Sequence, residues 1–233
     1  MASTQVFERQ EFHSFYDRDS GRIISDLEFR KCYFQGSAIS VTRKPELRST
    51  IRDVRLIQCE QRGCTLDTAI VEDVLVDGLK TNGLFQTWGA VFKHVTMRGK
   101  IGRVMISPYV ATAQATAQQQ RAFDEANAAY YATVDWALDI SEAEFEEIDI
   151  RRVSARLIRR DPATQVVVTR ERAMEGRWRE LDLDKTDWAG WIDLFLKDGD
   201  PDVVLVAPKR HRKYQDALDG LKMLRDAGVA EPT

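Results

Sequence analysis

Ile51-Arg52-Asp53-Val54-Arg55-Leu56 and Val71-Glu72-Asp73-Val74-Leu75-Val76 carry one side-chain pattern twice. Apolar residues stand first, fourth and sixth, with a polar pair after the first. Working outward, Ile24, Leu27 and Phe29 repeat the pattern upstream, and Phe92, Val95 and Met97 repeat it downstream. Phe145, Ile148 and Ile150 form a fifth copy. The step from Ile51 to Val71 nearly equals that from Val71 to Phe92. The step from Ile24 to Ile51 is longer and contains Pro45, and that from Phe92 to Phe145 spans an Ala/Gln-rich insertion. A unit of about 20 residues is too short to enclose a core of its own, so stacking on the next unit is required. The expected fold class is therefore mainly β: a short right-handed β-solenoid with a helical insertion and a capping α/β tail.

A finer period lies inside each unit. Leu27-Glu28-Phe29-Arg30-Lys31, Cys32-Tyr33-Phe34-Gln35-Gly36 and Ser37-Ala38-Ile39-Ser40-Val41 run in register at five, as do the blocks from Leu138 to Leu157. A period of two marks a plain strand and 3.6 a helix. Five fits a chain that turns a corner after each block. The phase holds at Val54/Leu56, Cys64/Leu66, Ala69/Val71 and Val74/Val76, and breaks at Leu79/Thr81 and Leu84/Gln86.

On these blocks, Cys32–Gly36 and Ala143–Glu147 above all, the chain resembles the pentapeptide-repeat family of right-handed square β-helices. The resemblance covers about residues 24–106 and 138–156, and often sets Leu, Val or Ile where the family has a small residue. A more oval coil is the alternative cross-section. The family includes DNA mimics that inhibit topoisomerases, a role that needs a strongly acidic rod. Residues 24–106 hold 13 Lys and Arg against 9 Asp and Glu, and 138–156 hold 3 against 6. Charge therefore disfavours mimicry of a phosphate lattice.

Residues 1–23 read as an N-terminal cap bearing Phe7, Phe12, Phe15 and Tyr16. Residues 24–157 read as the solenoid, interrupted at about 109–132 by a helix with a stripe of Ala122, Phe123, Ala126, Ala129 and Tyr130. Residues 158–233 read as an α/β cap or small lobe. Within this tail region, Arg156–Arg159 and Gln165–Thr169 flank a turn at Asp161-Pro162 and read as a hairpin. Trp188, Trp191, Ile192 and Phe195 share one helix face, Val203–Val206 form a buried strand, and Tyr214, Leu218, Leu221 and Leu224 mark a last helix before Gly228.

The 233 residues carry a formal charge of −3, so a basic nucleic-acid-binding surface is not expected. No apolar run is long enough to span a membrane, and the first residues lack a secretory pattern; a cytoplasmic location is the expectation. Cys32, Cys59 and Cys64 fall on the inward phase of their blocks and read as compact core fillers. No C-x₂-C pair, G-x-S-x-G, H-E-x-x-H or phosphate loop is present. Accordingly no catalytic residue, metal ligand or cofactor is assigned. The carboxylates Asp53, Asp73, Glu146 and Glu147 would serve the alternative of an enzyme acting on a carbohydrate or small molecule, and they read as solvated surface.

The candidate partner-binding residues are Trp88, which follows a block out of phase, and the run Lys209-Arg210-His211-Arg212-Lys213. That run could grip an acidic partner, or simply offset Asp198, Asp200 and Asp202 upstream. The functional expectation is a non-enzymatic macromolecule-binding protein: an inhibitor, an immunity or antitoxin-like protein, or an adaptor. Its partner would be a protein, not a membrane or nucleic acid, and self-association through the solenoid end or the C-terminal cap is compatible with the pattern.

Overall fold

A computed structural model describes residues 4–110 and 115–232. Residues 1–3 of the leader and 111–114 of the expected insertion lie outside the described residues. The protein is mainly β. Among the described residues fourteen strands form one large curled sheet in which every pairing is parallel; one α-helix interrupts it between Ser107 and Leu138, and a two-stranded antiparallel sheet with three further α-helices follows it.

The repeat is visible as register. Ile24 pairs with Ile51, Ile51 with Val71, and Val71 with Phe92; Leu27, Val54 and Val74 align in the same way. Apolar positions of the template face one interior, where Val54, Val71, Val74, Val76, Phe92 and Val95 are buried. The fifth copy behaves differently. Phe145, Ile148 and Ile150 pair with Ile101, Val104 and Ile106, whereas Val95 pairs with Leu138. The long step from Phe92 to Phe145 thus joins positions that do not stack.

The five-residue phase appears in the backbone. Residues 53, 58, 63 and 68 have φ between +52° and +61°, and positive φ recurs at 26, 31 and 36, at 73, 78 and 83, and at 94 and 99. This left-handed conformation is costly for most side chains and least so for Gly, Asn, Asp and His. The residue types follow. Asp26, Asp53, Asp73 and His94 hold one corner, and Gly36, Gly63 and Gly83 hold another.

The phase break is also a structural irregularity. Between the strands Ile70–Trp88 and Val95–Ser107 the register shifts twice, from Arg98↔Asp77 through Ile101↔Leu79 to Arg103↔Leu84. Gly102 sits so close to Thr81 that a Cβ there would lie 2.8 Å from the Thr81 backbone nitrogen. The square pentapeptide coil implied by the resemblance is therefore corrected. The main path runs through seven strands as a curled half-barrel and is not evidently square.

The leader joins the same sheet. Its strands Gln5–Glu8, Glu11–His13 and Tyr16–Arg18 pair with residues 27–30, 33–35 and 38–41. Phe7 stacks on Phe29 at 5.2 Å and Phe12 on Phe34 at 5.3 Å. Asp17, 1% exposed, fastens this layer, accepting from Ser49 Oγ at 2.6 Å and the Ser40 N–H at 3.1 Å. Burial alone would raise its pKa, but the bonds from Ser20, Ser49 and Ser40 and the nearby Arg22 hold it below the ordinary value.

Helix α1 (Ala117–Tyr131) begins with a capping box between Thr116 and Gln119. Of the expected stripe only Phe123 is fully buried; Ala122 and Ala129 are exposed. The tail departs from the expected hairpin. Ile158–Arg159 pairs in parallel with Leu138–Asp139, and Gln165–Thr169 pairs antiparallel with Asp202–Val206. The Asp161 turn reverses the chain, but the edge beside Leu138 already satisfies the 158–159 strand.

The 165–169/202–206 pair is a middle layer. Val167, Val204 and Val206 face the main core, whereas Val166, Val168 and Leu205 face a second core. This explains the unbroken apolar runs, since both faces are buried. The second core is closed by α2 (Arg170–Met174), α3 (Trp188–Asp198) and α4 (Tyr214–Asp226), with Trp178, Trp188, Ile192, Phe195, Leu221 and Leu224 inside. Gly199 and Gly228, at φ +78° and +69°, end α3 and α4.

Candidate interaction surface

The basic run leads into the start of α4 and is fixed to the sheet by one of its own members. The Arg210 N–H donates to the Phe145 carbonyl at 3.0 Å, and its guanidinium Nη1 donates to the Ile101 carbonyl at 2.9 Å. Ile101 and Phe145 are themselves paired, so Arg210 bridges two adjacent strands. Lys209 forms an ion pair with Asp161 at 3.1 Å. The Lys213 N–H donates to His211 Nδ1 at 3.3 Å. Arg212 and Lys213 are exposed and have no acidic partner among the described residues.

The acidic residues upstream are engaged elsewhere. Asp200 faces Arg152 at 3.4 Å, Asp202 accepts from the Ala155 N–H at 2.7 Å, and Tyr109 donates to Asp198 at 3.3 Å. Burial raises the pKa of Asp200, and Arg152 opposes the rise. Trp88 lies at the end of its strand, partly buried between Asp67 and Ser107. Among the described residues nothing joins it to the basic run.

Two arrangements escape a reading by residue type. His94 Nδ1 lies 3.0 Å from Asp73 and its Nε2 2.7 Å from Asp135. Its ring packs against Trp136 with centres 4.7 Å apart and planes tilted by 32°, and the Arg159 guanidinium lies 4.1 Å from the Trp136 ring centre. The bond to Asp135, then that to Asp73, raises the His94 pKa. Asp73 and His94 share a template position, so their proximity was legible in the repeat; Asp135 arrives from the segment between α1 and Leu138, outside the repeat, and was not. The second is Arg48, buried beneath α1 with its guanidinium over Phe123 at 4.6 Å and bonded to Asn127. Burial pushes its pKa down to about 10. A cleft of about 230 Å³ beside it is lined by Ala90, Asn127, Tyr131, Arg151, Arg152 and Val153, among others.

The carboxylates considered for catalysis are held by cations or exposed. Glu146 and Glu147 both face Arg103, at 3.2 and 3.6 Å, Asp73 faces His94, and Asp53 is an exposed corner residue. No helix among the described residues is long and apolar enough to cross a membrane.

No family model, curated protein or solved structure matches the chain. The pentapeptide-repeat resemblance is therefore withdrawn as a family assignment; the five-residue recurrence of positive φ stands as a property of this backbone.

Proposed function

We propose that the protein binds another protein without catalysing a reaction, in the manner of an inhibitor, an immunity or antitoxin-like protein, or an adaptor. The observation that supports this reading best is the fixing of the basic loop by Arg210. A loop held at two strand carbonyls presents Arg212 and Lys213 with little ordering left to lose on binding. Such a cationic patch suits an acidic protein surface. Steering of that kind is salt-sensitive and falls when the charges are reversed. The finer reading of the fold belongs with this proposal: the curled sheet winds as a solenoid, supported by in-register strands and by corners every five residues, and its outer wall flanks the loop.

The test is parallel capture from native lysate with the wild-type chain and with Arg212→Glu/Lys213→Glu. One stoichiometric acidic partner, lost in the variant and weakened about tenfold or more by 0.5 M salt, is expected. An identical partner set for both proteins overturns the role of the loop.

A further inference from the structure

The two ends of the large sheet are finished differently. At the C-terminal end the last strand groups are covered: Gln165 Nε2 donates to the Ile140 carbonyl, Arg210 covers Phe145, and Val167, Val204 and Val206 close the core. At the other end, Gln5–Glu8, Glu11–His13 and Tyr16–Arg18 each pair on one side only, and among the described residues no strand meets their outer edges. Lys and Pro, which commonly guard such edges, are absent from residues 4–22. Of the seven large apolar side chains most exposed among the described residues, four belong to this end: Val6 at 52%, Phe15 at 40%, Tyr16 at 56% and Ile23 at 59%. The aromatic columns Phe29–Phe7 and Phe34–Phe12 also stop here, with Phe7 and Phe12 only partly buried.

We infer that this bare end binds a second copy of the same chain, edge to edge, to make a closed two-fold dimer. Geometry favours self-pairing. The three outer strands follow one another around the rim, so a two-fold axis through the middle one, Glu11–His13, sets that strand antiparallel to its own copy. The same axis lays Gln5–Glu8 antiparallel to Tyr16–Arg18 of the partner subunit. In that register Phe12 faces its own copy, continuing the Phe34–Phe12 column, and exposed Val6 lies diagonal to exposed Tyr16 of the partner subunit. Charge permits it: residues 4–22 hold Glu8, Glu11, Asp17 and Asp19 against Arg9, Arg18 and Arg22, close to neutral. Because the opposite end is covered, the contact is isologous and growth stops at two.

Sedimentation equilibrium from about 1 to 100 µM tests this on the full chain. The expected mass is twice 26.7 kDa at the upper concentrations. Val6→Lys/Tyr16→Lys places two charges on the rim and should give a monomer, weakening association at least about tenfold. Met174→Lys, at an exposed site on the C-terminal lobe, should leave the dimer intact. A wild-type monomer at 100 µM, an open series of larger species, or a dimer that survives the rim charges overturns the proposal. Should the double variant lose its fold, amide exchange on the wild type decides: residues 5–18 should be protected more strongly at high than at low concentration, and equal protection overturns the assignment.

Discussion

Asp73 and His94 stand one above the other in successive passes of the chain, both with left-handed backbone, and a carboxylate oxygen of one lies 3.0 Å from Nδ1 of the other. The position demands a residue that tolerates positive φ, and the chain has chosen two that also attract each other. Asp135 then clamps the imidazole from the opposite side.

This clamp makes stability depend on pH. The folded pKa of His94 lies above its ordinary value of 6.5, so its contribution is complete below that value and fades as pH rises through the raised pKa. Asp135 is held below its ordinary 3.8, chiefly by the same bond, so its contribution is present above that value and fades in stronger acid. His94→Gln should lower the melting temperature most between these ordinary values, with the two proteins converging in alkali. A temperature gap constant from about pH 5 to 9 would show that the clamp does not titrate as described.

The corners invite a substitution of unusual sign. Gln58 is exposed with φ +52°. Relieving a left-handed non-glycine residue recovers about 1–2 kcal/mol, less the greater entropy of glycine in the unfolded chain. Gln58→Gly should therefore stabilise by about 0.5 kcal/mol, and Gln58→Val should destabilise by more than about 1 kcal/mol, as read by urea denaturation. Loss of stability with glycine would contradict the corner.

Cys32 and Cys59 lie in the interior at 1% and 2% exposure, and their thiols donate to the carbonyls of Phe7 and Phe29. Burial raises the Cys59 pKa, leaving little thiolate to react. Both should resist iodoacetamide until denaturant unfolds the protein. Cys59→Asp should cost about 3 kcal/mol or more, because a polar group would enter the core unpaired.

Gly220 breaks the usual helix rule. Within an exposed helix Gly→Ala gains about 1 kcal/mol. Here a Cβ would lie 2.7 Å from Trp188 Cδ1, in a ring whose Nε1 donates to the Ala217 carbonyl at 3.0 Å. Gly220→Ala should instead destabilise by about 1–3 kcal/mol, with a blue- or red-shifted Trp emission reporting the displaced ring.

Truncation after Glu180 removes Val204 and Val206 from the main core and α3 and α4 from the second. The shortened chain should be insoluble or form large oligomers. A monomer with an unchanged melting temperature would mean that the lobe stands alone.

How far the sequence could be read follows from what each signal depends on. The spacing of Ile51, Val71 and Phe92 predicted register because apolar side chains must face a shared interior. Corner positions were legible through Asp, Gly and the period of five. The fifth copy misled, since Phe145 obeys the same local pattern while stacking on Ile101 instead of Phe92. Likewise, the composition around Asp161 specifies a turn but not which strand each arm will meet. Arg210 looked like one member of a five-residue basic run; only its reach to Ile101 and Phe145 distinguishes it.

The register also dictates how the chain can assemble. Most pairings join residues separated by similar stretches, such as Phe7 with Phe29, Ile51 with Val71, and Leu138 with Ile158. Closure entropy grows only with the logarithm of loop length, so each added pass meets nearly the same barrier as the one before. The exceptions are the pairings across the α1 segment, Val95 with Leu138 and Ile101 with Phe145 among them, and the antiparallel pairing of Gln165 with Val206. Folding should therefore proceed as templated growth within residues 5–107, pause at the α1 junction, and finish when Asp202–Val206 docks beside Gln165–Thr169. A ribosome releasing the chain from its N-terminus would deliver the passes in the order in which they stack.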